Sequence, residues 1–195
     1  MLDFESLVTQ CAKFEGFRKK RYYDTIGIAT IGYGFTAACF PDGYVPETIS
    51  KESAEIMLKS ILESERHIVY NVLSKNNLLT ENERQALLLP LTDFKYNCGI
   101  VNLQKLVLNR DFNTICKKIL LYNKAGCKVL RGLEKRRNWE YNQIINNYNE
   151  LTKEKLYTVS DVQTMLCKLG HNIVVDGICG KLTCKAIMEE LSKNN

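Results

Sequence analysis

Two carboxylates and a threonine lie close together near the N-terminus. Glu15 is followed nine positions later by Asp24 and six positions after that by Thr30, within the stretch KFEGFRKKRYYDTIGIATIGYG. Cleavage of a glycosidic bond needs two carboxyl groups, because one protonates the leaving oxygen while the other activates water or attacks the sugar. The alternative is that Glu15 is an ordinary surface acid and Asp24 a turn-forming residue.

The two carboxylates have unlike neighbours in the sequence. Glu15 follows Phe14, and partial burial there favours the neutral acid. Asp24 lies in a polar stretch with Arg21 and Thr25, where it stays charged. An acid and a base that work together at one pH need this kind of asymmetry.

The predicted elements bring both groups towards one cleft. Residues 3–14 place apolar side chains at helical spacing and Gly16 ends the pattern, so Glu15 closes a first helix. Residues 17–35 change to β-type residues punctuated by glycines, which predicts short strands with tight turns. A helix end followed by a hairpin can hold Glu15 and Asp24 on the same side.

The rest of the first 150 residues predicts mostly helix. Ser50 is the expected cap of a long helix, and Thr80 with Glu83 forms a capping-box pattern before the next one. Pro90 is expected to kink or break that helix, and a turn is expected at 97–99. The fold class is therefore α+β, mostly α, with a small early β-sheet. Further predicted helices cover 103–122 and 133–148.

A compositional change near 149–157 predicts a domain boundary, with one domain over 1–150 and a smaller module over 151–195. The tail reads as helix, glycine-rich turn and helix. A module of this size buries little apolar surface, so it should dock on the body or be marginally stable alone.

Three segments together resemble the phage-type lysozymes, glycoside hydrolase family 24. Glu15, Asp24 and Thr30 fit E-x(8)-D-x(5)-T in a T-I-G-Y-G context. The segment FKYNCG at 94–99 is similar to the family's F-x-x-N-x-G, and GLEKRRNWE at 132–140 to its G-L-x-x-R-R-x-x-E. The resemblance covers residues 3 to about 148 and implies a lysozyme-like fold.

The family's roles transfer to the matching positions. The resemblance implies that Glu15 is the general acid, that Asp24 is the base or a charge stabiliser, and that Thr30 holds the attacking water or Asp24 itself. It also implies inversion, which needs carboxyl groups about 6.5–9.5 Å apart, whereas retention needs about 5–5.5 Å. Phe35 departs from the histidine that many relatives carry after G-Y-G, so a substrate contact made by that histidine differs here.

Five further residues are candidates for substrate binding. Tyr33, Tyr96 and Asn97 offer aromatic faces and an amide that suit sugars, although both tyrosines fit a hydrophobic core equally well. Arg136 and Arg137 pair with Glu15 or contact the wall in one interpretation. In the other, which the sequence favours, they lie on a solvated helix face or in a structural ion pair.

The tail resembles the peptidoglycan-binding helical repeat, whose hallmark is V-D-G-x-x-G-x-x-T. Here Val175, Asp176, Gly177, Gly180 and Thr183 fit it, and Asp176 is expected to hold backbone amides of the turn. The match is shortened, and it predicts wall binding by the tail. A zinc site is the competing interpretation, and its candidate ligands are Cys167, His171, Cys179 and Cys184.

Composition limits the partners. The net charge of +5 favours association with a polyanion, and no nucleic-acid-reading module is recognisable. No apolar run is long enough to span a membrane, and the first residues do not resemble a signal peptide. The eight cysteines are expected to be free, mostly buried thiols of a chain kept in the host cytoplasm.

The sequence therefore predicts an endolysin, a muramidase that hydrolyses the β-1,4 bond between N-acetylmuramic acid and N-acetylglucosamine and lyses the host cell. Two carboxylates and water suffice, so no cofactor and no metal are expected. A separate pore-forming protein is the expected release partner. The alternatives are a lytic transglycosylase, which needs only one acid, and a non-catalytic protein that binds the cell wall.

Overall fold

A computed structural model describes residues 1–24, 26–153 and 158–193. The chain forms two compact units, Met1–Thr152 and Lys153–Asn195. It is mostly helical with a small antiparallel sheet near the N-terminus, which confirms the predicted fold class. Within the described residues, no helix has the length and apolar composition needed to cross a membrane.

The elements of the first unit are α1 (Phe4–Glu15), β1 (Arg18–Tyr23), β2 (Ala29–Gly32), a 3₁₀ turn (Ala37–Cys39), α2 (Lys51–Ser74), α3 (Glu81–Val107), α4 (Phe112–Ile119), β3 (Lys124–Ala125), β4 (Lys128–Val129) and α5 (Arg131–Thr152).

Helix α1 begins and ends as its sequence predicts. The side chain of Asp3 accepts a hydrogen bond from the N–H of Ser6, and Gly16 ends the helix with a positive φ of 69°. Leu7 and Cys11, one helical turn apart, are fully buried. Because Gly16 turns the chain at this point, Glu15 is the last residue of α1. Strand β1 begins two residues after Gly16, at Arg18.

Strands β1 and β2 form the predicted hairpin. They pair antiparallel with Tyr22 opposite Thr30, and the register shifts between Arg18 and Tyr22, so β1 carries an irregularity. Gly32 has a φ of 65°, and a Cβ at this position would lie 2.7 Å from the ring of Phe35. Glycine is therefore required there for the hairpin to close over its own aromatic side chain.

Helix α2 connects two hydrophobic cores. Ser50 caps it as predicted, its hydroxyl accepting from the N–H of Ser53. Leu58 in its first half packs with α1 and the hairpin, whereas Val69 and Leu73 in its second half pack with α3, α4 and α5. The small sheet is thus attached to the helical body through a shared helix.

Helix α3 differs from the prediction at Pro90. The helix continues through this buried proline, and the interruption lies at Gly99, whose φ of 78° and ψ of 169° are not helical. The capping box of Thr80 and Glu83 is present as predicted. The expectation of a break at Pro90 was wrong, whereas the expected turn at 97–99 coincides with the observed interruption.

The second unit contains α6 (Val159–Lys168), the glycine-rich turn and α7 (Lys181–Ser192), which confirms the predicted helix–turn–helix order. A capping box of Thr158 and Asp161 starts α6. The predicted polar segment 149–157 lies partly outside the described residues.

Candidate active site

Glu15 lies at the C-terminal end of α1, with 20% of its side chain exposed. A carboxylate at this end of a helix is unfavourable by itself, because the last carbonyl groups carry partial negative charge. A cation close to Glu15 would offset this unfavourable arrangement.

Arg136 of α5 supplies that cation. Its Nη1 donates to Glu15 Oε1 at 2.5 Å, while Nε and Nη2 donate to the two oxygens of Asp93 at 2.7 and 2.9 Å. The guanidinium is almost fully buried. Burial alone would lower the pKa of Arg136, but the charge and hydrogen bonds of Asp93, together with the charge of Glu15, raise it. The guanidinium thus joins α1, α3 and α5 at one point.

A second buried pair lies beside the first. Arg137 Nη2 is 2.7 Å from Glu140 Oε1, and both side chains are fully buried. The same guanidinium donates to Asn97 Oδ1 at 3.1 Å and to the sulfur of Cys98 at 2.9 Å. Burial raises the pKa of Glu140 well above its ordinary value, Arg137 opposes that rise, and Asp93 adds to it. Arg137 is thus a structural ion-pair residue, as the second of the two interpretations of its sequence has it. Arg136 pairs with Glu15, as the first interpretation has it, and also with the buried Asp93.

The hairpin carries the other two predicted catalytic residues. Asp24 follows β1, and its Oδ1 accepts from the N–H groups of Ile26 (3.0 Å) and Ile28 (2.8 Å). The N–H of Asp24 also donates to the carbonyl of Ile28 at 3.0 Å. Thr25, the expected polar neighbour, lies outside the described residues. These bonds fix the turn and the orientation of the half-buried carboxylate.

Thr30 lies in β2, opposite the strand that leads to Asp24, and its side chain faces inward. Its hydroxyl donates to the carbonyl of Ile28 at 3.0 Å. The end of the hairpin returns to Glu15, because a Cβ on Gly34 would lie 3.6 Å from Glu15 Oε2, and Gly34 has a φ of 91°. The backbone at Gly34 therefore forms one wall beside the acid.

A cavity of about 410 Å³ opens at Glu15. It brings together Glu15 with two of the predicted substrate-binding residues, Asn97 and Arg136, and adds two lysines that the sequence did not single out. Its volume is in the range of small-ligand sites. The lining residues are Lys13, Phe14, Glu15, Asn97, Leu130, Gly132, Leu133, Lys135 and Arg136.

The two predicted tyrosines and Phe35 lie elsewhere. The ring of Tyr33 is buried in the core around the hairpin, 5.6 Å from the ring of Phe17 and 6.3 Å from that of Phe35. Tyr96 donates its hydroxyl to the carbonyl of Tyr33 at 2.8 Å, and burial raises the pKa of Tyr96. These tyrosines hold the G-Y-G segment in place, which is the core role that the sequence left open.

Several residues of the site were not singled out from the sequence. Asp93 anchors Arg136, and Glu140 pairs with Arg137, yet neither was assigned a role. Asp93 had a usable signal, because it is the one charged residue in the apolar run LLLPLTDF, and a charge in a buried helix needs a partner. The short β3–β4 hairpin before Leu130 was missed, since strands of two residues leave little pattern.

The C-terminal unit is built around Gln163 and the glycine-rich turn. Asp176 accepts from the N–H of Ile178 at 2.9 Å and from Gln163 Nε2 at 2.8 Å, so its expected role in holding the turn is confirmed. Hydrogen bonding from Gln163 lowers the pKa of Asp176.

Four cysteine and histidine positions of this unit were candidate zinc ligands. Of these, His171 contacts Glu190 at 2.7 Å, and Cys167 contacts the carbonyl of Ile173. Across the described residues, no group of three or more His, Cys, Asp or Glu has the arrangement of a metal site.

Residues 12–140 match the family model described as phage lysozyme. The chain is 33% identical over 188 residues to the endolysin of Bacillus phage B103, a match that covers 90% of this chain and 67% of the relative. In structure it is similar to an endolysin from Escherichia coli O157:H7 phage FAHEc1, with a TM-score of 0.55 and 26% identity over 72% of this chain and 90% of that one. The muramidase domain of SpmX from Asticaccaulis excentricus shares the fold, with a TM-score of 0.57 and 21% identity over 72% of this chain and 95% of that one. The matched region ends at the position of Glu140, the last residue of the buried ion-pair network.

Proposed function

This chain belongs to the phage lysozyme family and is a muramidase of the endolysin type, and we propose that it hydrolyses the β-1,4 bond between N-acetylmuramic acid and N-acetylglucosamine. Its substrate is the peptidoglycan of the bacterial cell wall, and breaking enough of these bonds lyses the host cell. The observation that carries the proposal is Glu15, which lies in a cavity and is held there by an arginine anchored to a buried aspartate.

Glu15 is the proposed general acid. It donates its proton to the glycosidic oxygen as the bond to the leaving sugar breaks. In the free enzyme its carboxylate is paired with Arg136, so protonation of Glu15 has to weaken that hydrogen bond. Arg136 keeps its two bonds to Asp93 when this happens, and the guanidinium therefore remains in position.

Asp24 is the proposed base or charge stabiliser. Two backbone N–H groups donate to its Oδ1, which orients the carboxylate. A water molecule that Asp24 deprotonates would attack the anomeric carbon opposite to the leaving group and invert the configuration. Thr30 acts by holding the carbonyl of Ile28 in the same turn, and through it the loop that orients Asp24.

The residues around the cavity suit a polar, anionic wall. Asn97 presents an amide for sugar hydroxyl groups, while Lys13 and Lys135 give the rim a positive charge. The net charge of +5 acts in the same direction over longer distances. Tyr33 and Tyr96 contribute by fixing the backbone beside Glu15.

The reaction is tested by the chemical ends of the fragments that the purified chain releases from peptidoglycan. Mass spectrometry should find reducing muramic acid ends, which a mock preparation without the chain does not produce. Anhydro-muramic acid ends would instead establish a lytic transglycosylase. Sedimentation with the wall and no released fragments would leave a non-catalytic binding protein.

Release and wall binding complete the proposal. The chain stays in the host cytoplasm until a separate pore-forming protein gives it access to the wall, and the C-terminal unit then binds that wall. Expression in a bacterium should leave the culture intact until a pore-forming peptide is added, and lysis should follow rapidly. Lysis on expression alone would contradict the need for a release partner.

A further inference from the structure

The C-terminal unit is held together by a few polar contacts around one turn. Gln163 of α6 is buried and donates both to Asp176 Oδ1 at 2.8 Å and to Thr183 Oγ1 at 3.1 Å. Leu166 and Ala186 are its buried apolar side chains among the residues described. Because so little apolar surface is buried, any covalent link between the turn and α7 would have a large effect on this unit.

Two cysteines lie at the junction of the turn and α7. Cys179 is next to Gly180, the residue before α7, and Cys184 lies in the first turns of that helix. Their Sγ atoms are 3.6 Å apart, and both residues are exposed. The sulfur of Cys167, by contrast, donates to the carbonyl of Ile173 at 3.3 Å. Cys179 and Cys184 are therefore a pair of neighbouring, accessible thiols.

We propose that Cys179 and Cys184 form an intrachain disulfide that ties the glycine-rich turn to α7. The sulfur atoms of a disulfide are about 2.0 Å apart. Rotation about the χ1 bonds of two exposed side chains can bring the sulfurs of this pair to that distance. The site is thus a redox modification site, and its oxidant is a low-molecular-weight disulfide such as glutathione disulfide.

The reaction is two successive thiol–disulfide exchanges. The thiolate of one cysteine attacks a sulfur of glutathione disulfide, forms a mixed disulfide and releases one glutathione thiolate. The thiolate of the second cysteine then attacks the protein sulfur of that mixed disulfide and releases the second glutathione. The two protein thiols are oxidised, the glutathione disulfide is reduced to two glutathione molecules, and the two thiol protons leave with those products.

The compartment in which the bond forms rests on the proposed function. Thiols stay reduced in a bacterial cytoplasm, whereas disulfides persist outside it. An endolysin that leaves the cytoplasm to reach the wall therefore passes from conditions that keep Cys179 and Cys184 as reduced thiols to conditions that allow them to form the disulfide. The disulfide would stabilise the C-terminal unit outside the cytoplasm, where this unit is proposed to bind the wall.

The bond is tested on the full-length chain with glutathione disulfide under native conditions, followed by alkylation and trypsin digestion. Cleavage after Lys168, Lys181 and Lys185 leaves Cys179 in peptide 169–181 and Cys184 in peptide 182–185. We expect these two peptides to be joined, with the mass of two hydrogen atoms lost, and to separate on reduction. Alkylation of both cysteines, a stable glutathione adduct, or a link from either cysteine to another one would overturn the proposal.

Two variants and one further readout distinguish a specific bond from general oxidation. Cys184→Ser should abolish the joined peptides, while Cys127→Ser, which removes an exposed cysteine of the other unit, should leave them unchanged. Amide hydrogen exchange in residues 173–185 should be about tenfold slower in the oxidised chain than in the reduced one. Equal exchange rates would overturn the stabilising role. Neither measurement depends on muramidase activity, so its outcome is separate from that of the proposed function.

Discussion

At the scale of single residues, the site is a row of hydrogen-bonded side chains with alternating charge. Glu15, Arg136 and Asp93 are linked by direct hydrogen bonds, and Arg137 with Glu140 lies directly behind them. The sequence identified Glu15 from the spacing of its motif. It could not decide what the arginines do, because their partners come from helices that are far apart in the chain.

Replacing Arg136 by Met should destabilise the fold strongly. The change leaves the carboxylate of Asp93, which is fully buried, without its bidentate partner. Breaking one side of a buried ion pair typically costs about 3–5 kcal/mol. Urea unfolding measures the loss, and Lys135→Met serves as the control because it removes an exposed cation of the same helix at a cost under about 0.5 kcal/mol. Equal losses in the two variants would contradict the ion-pair account.

Glu140 makes stability depend on pH in a direction that can be predicted. Burial raises its pKa above the ordinary value of 4.5, so the folded chain holds this proton more tightly than the unfolded chain does. The free energy of unfolding should therefore fall as pH rises above 4.5 and up to the raised pKa, by at most about 1.4 kcal/mol per pH unit.

Unfolding of wild type, Glu140→Gln and Glu134→Gln between about pH 5.5 and 8 isolates this effect. This interval lies above the range in which carboxylates with lowered pKa values, such as Asp111, lose their native contacts. Glu140→Gln should remove the decline with pH, whereas Glu134→Gln, which changes an exposed residue of the same helix, should retain it. The same slope in all three proteins would show that Glu140 is not the titrating group.

At the scale of secondary structure, local signals placed the starts of α1, α2 and α3 and the end of α1 correctly, whereas the predicted helical stretch 103–122 is interrupted between Val107 and Phe112. Asp3, Gly16 and Ser50 act as the caps that their residue types predict. The error at Pro90 has a physical reason, since tertiary packing around a buried residue can keep a helix going through a position that is intrinsically unfavourable. Gly99, which combines a positive φ with an extended ψ, is where the regular helix is interrupted.

Gly99→Ala should destabilise the fold, whereas Gly132→Ala should be neutral or stabilising. Gly99 has a φ of 78°, a conformation that costs a residue with a Cβ about 1–3 kcal/mol. Gly132 lies in α5 without a positive φ, and the space that an alanine methyl group would occupy there is open, so alanine should be neutral or stabilise the helix by up to about 1 kcal/mol. Thermal unfolding of the two variants measures both effects. A destabilising Gly132→Ala together with a neutral Gly99→Ala would contradict the assigned conformations.

At the scale of the whole molecule, two compact units share one chain. The first contains every residue of the candidate catalytic site, and the second exposes large apolar side chains, including Ile178 at 67% and Leu182 at 68%. We propose that these two side chains take part in the wall binding proposed for this unit. The repeat-like pattern of the tail predicted the turn and its Asp176, but a pattern of turn residues says little about which surface binds a ligand.

The double variant Ile178→Ser with Leu182→Ser should bind the wall less well than wild type. Both side chains are exposed, so the fold should survive while apolar contact with peptidoglycan is lost. Sedimentation with purified peptidoglycan, using chains that also carry Glu15→Gln to prevent digestion, measures the bound fraction. Met188→Ser, which removes another exposed apolar side chain of α7, is the control and should bind normally. Equal binding by all of these chains would exclude this surface of the tail.

The central claim is that Glu15 donates the proton that cleaves the glycosidic bond. The most direct test is the initial rate of release of reducing ends from peptidoglycan by wild type, Glu15→Gln and Glu81→Gln, the last replacing an exposed glutamate at the start of α3. Loss of a general acid should lower the rate of Glu15→Gln by about 10²–10⁴-fold, while Glu81→Gln stays at the wild-type rate. A folded Glu15→Gln chain that retains the wild-type rate would contradict the account.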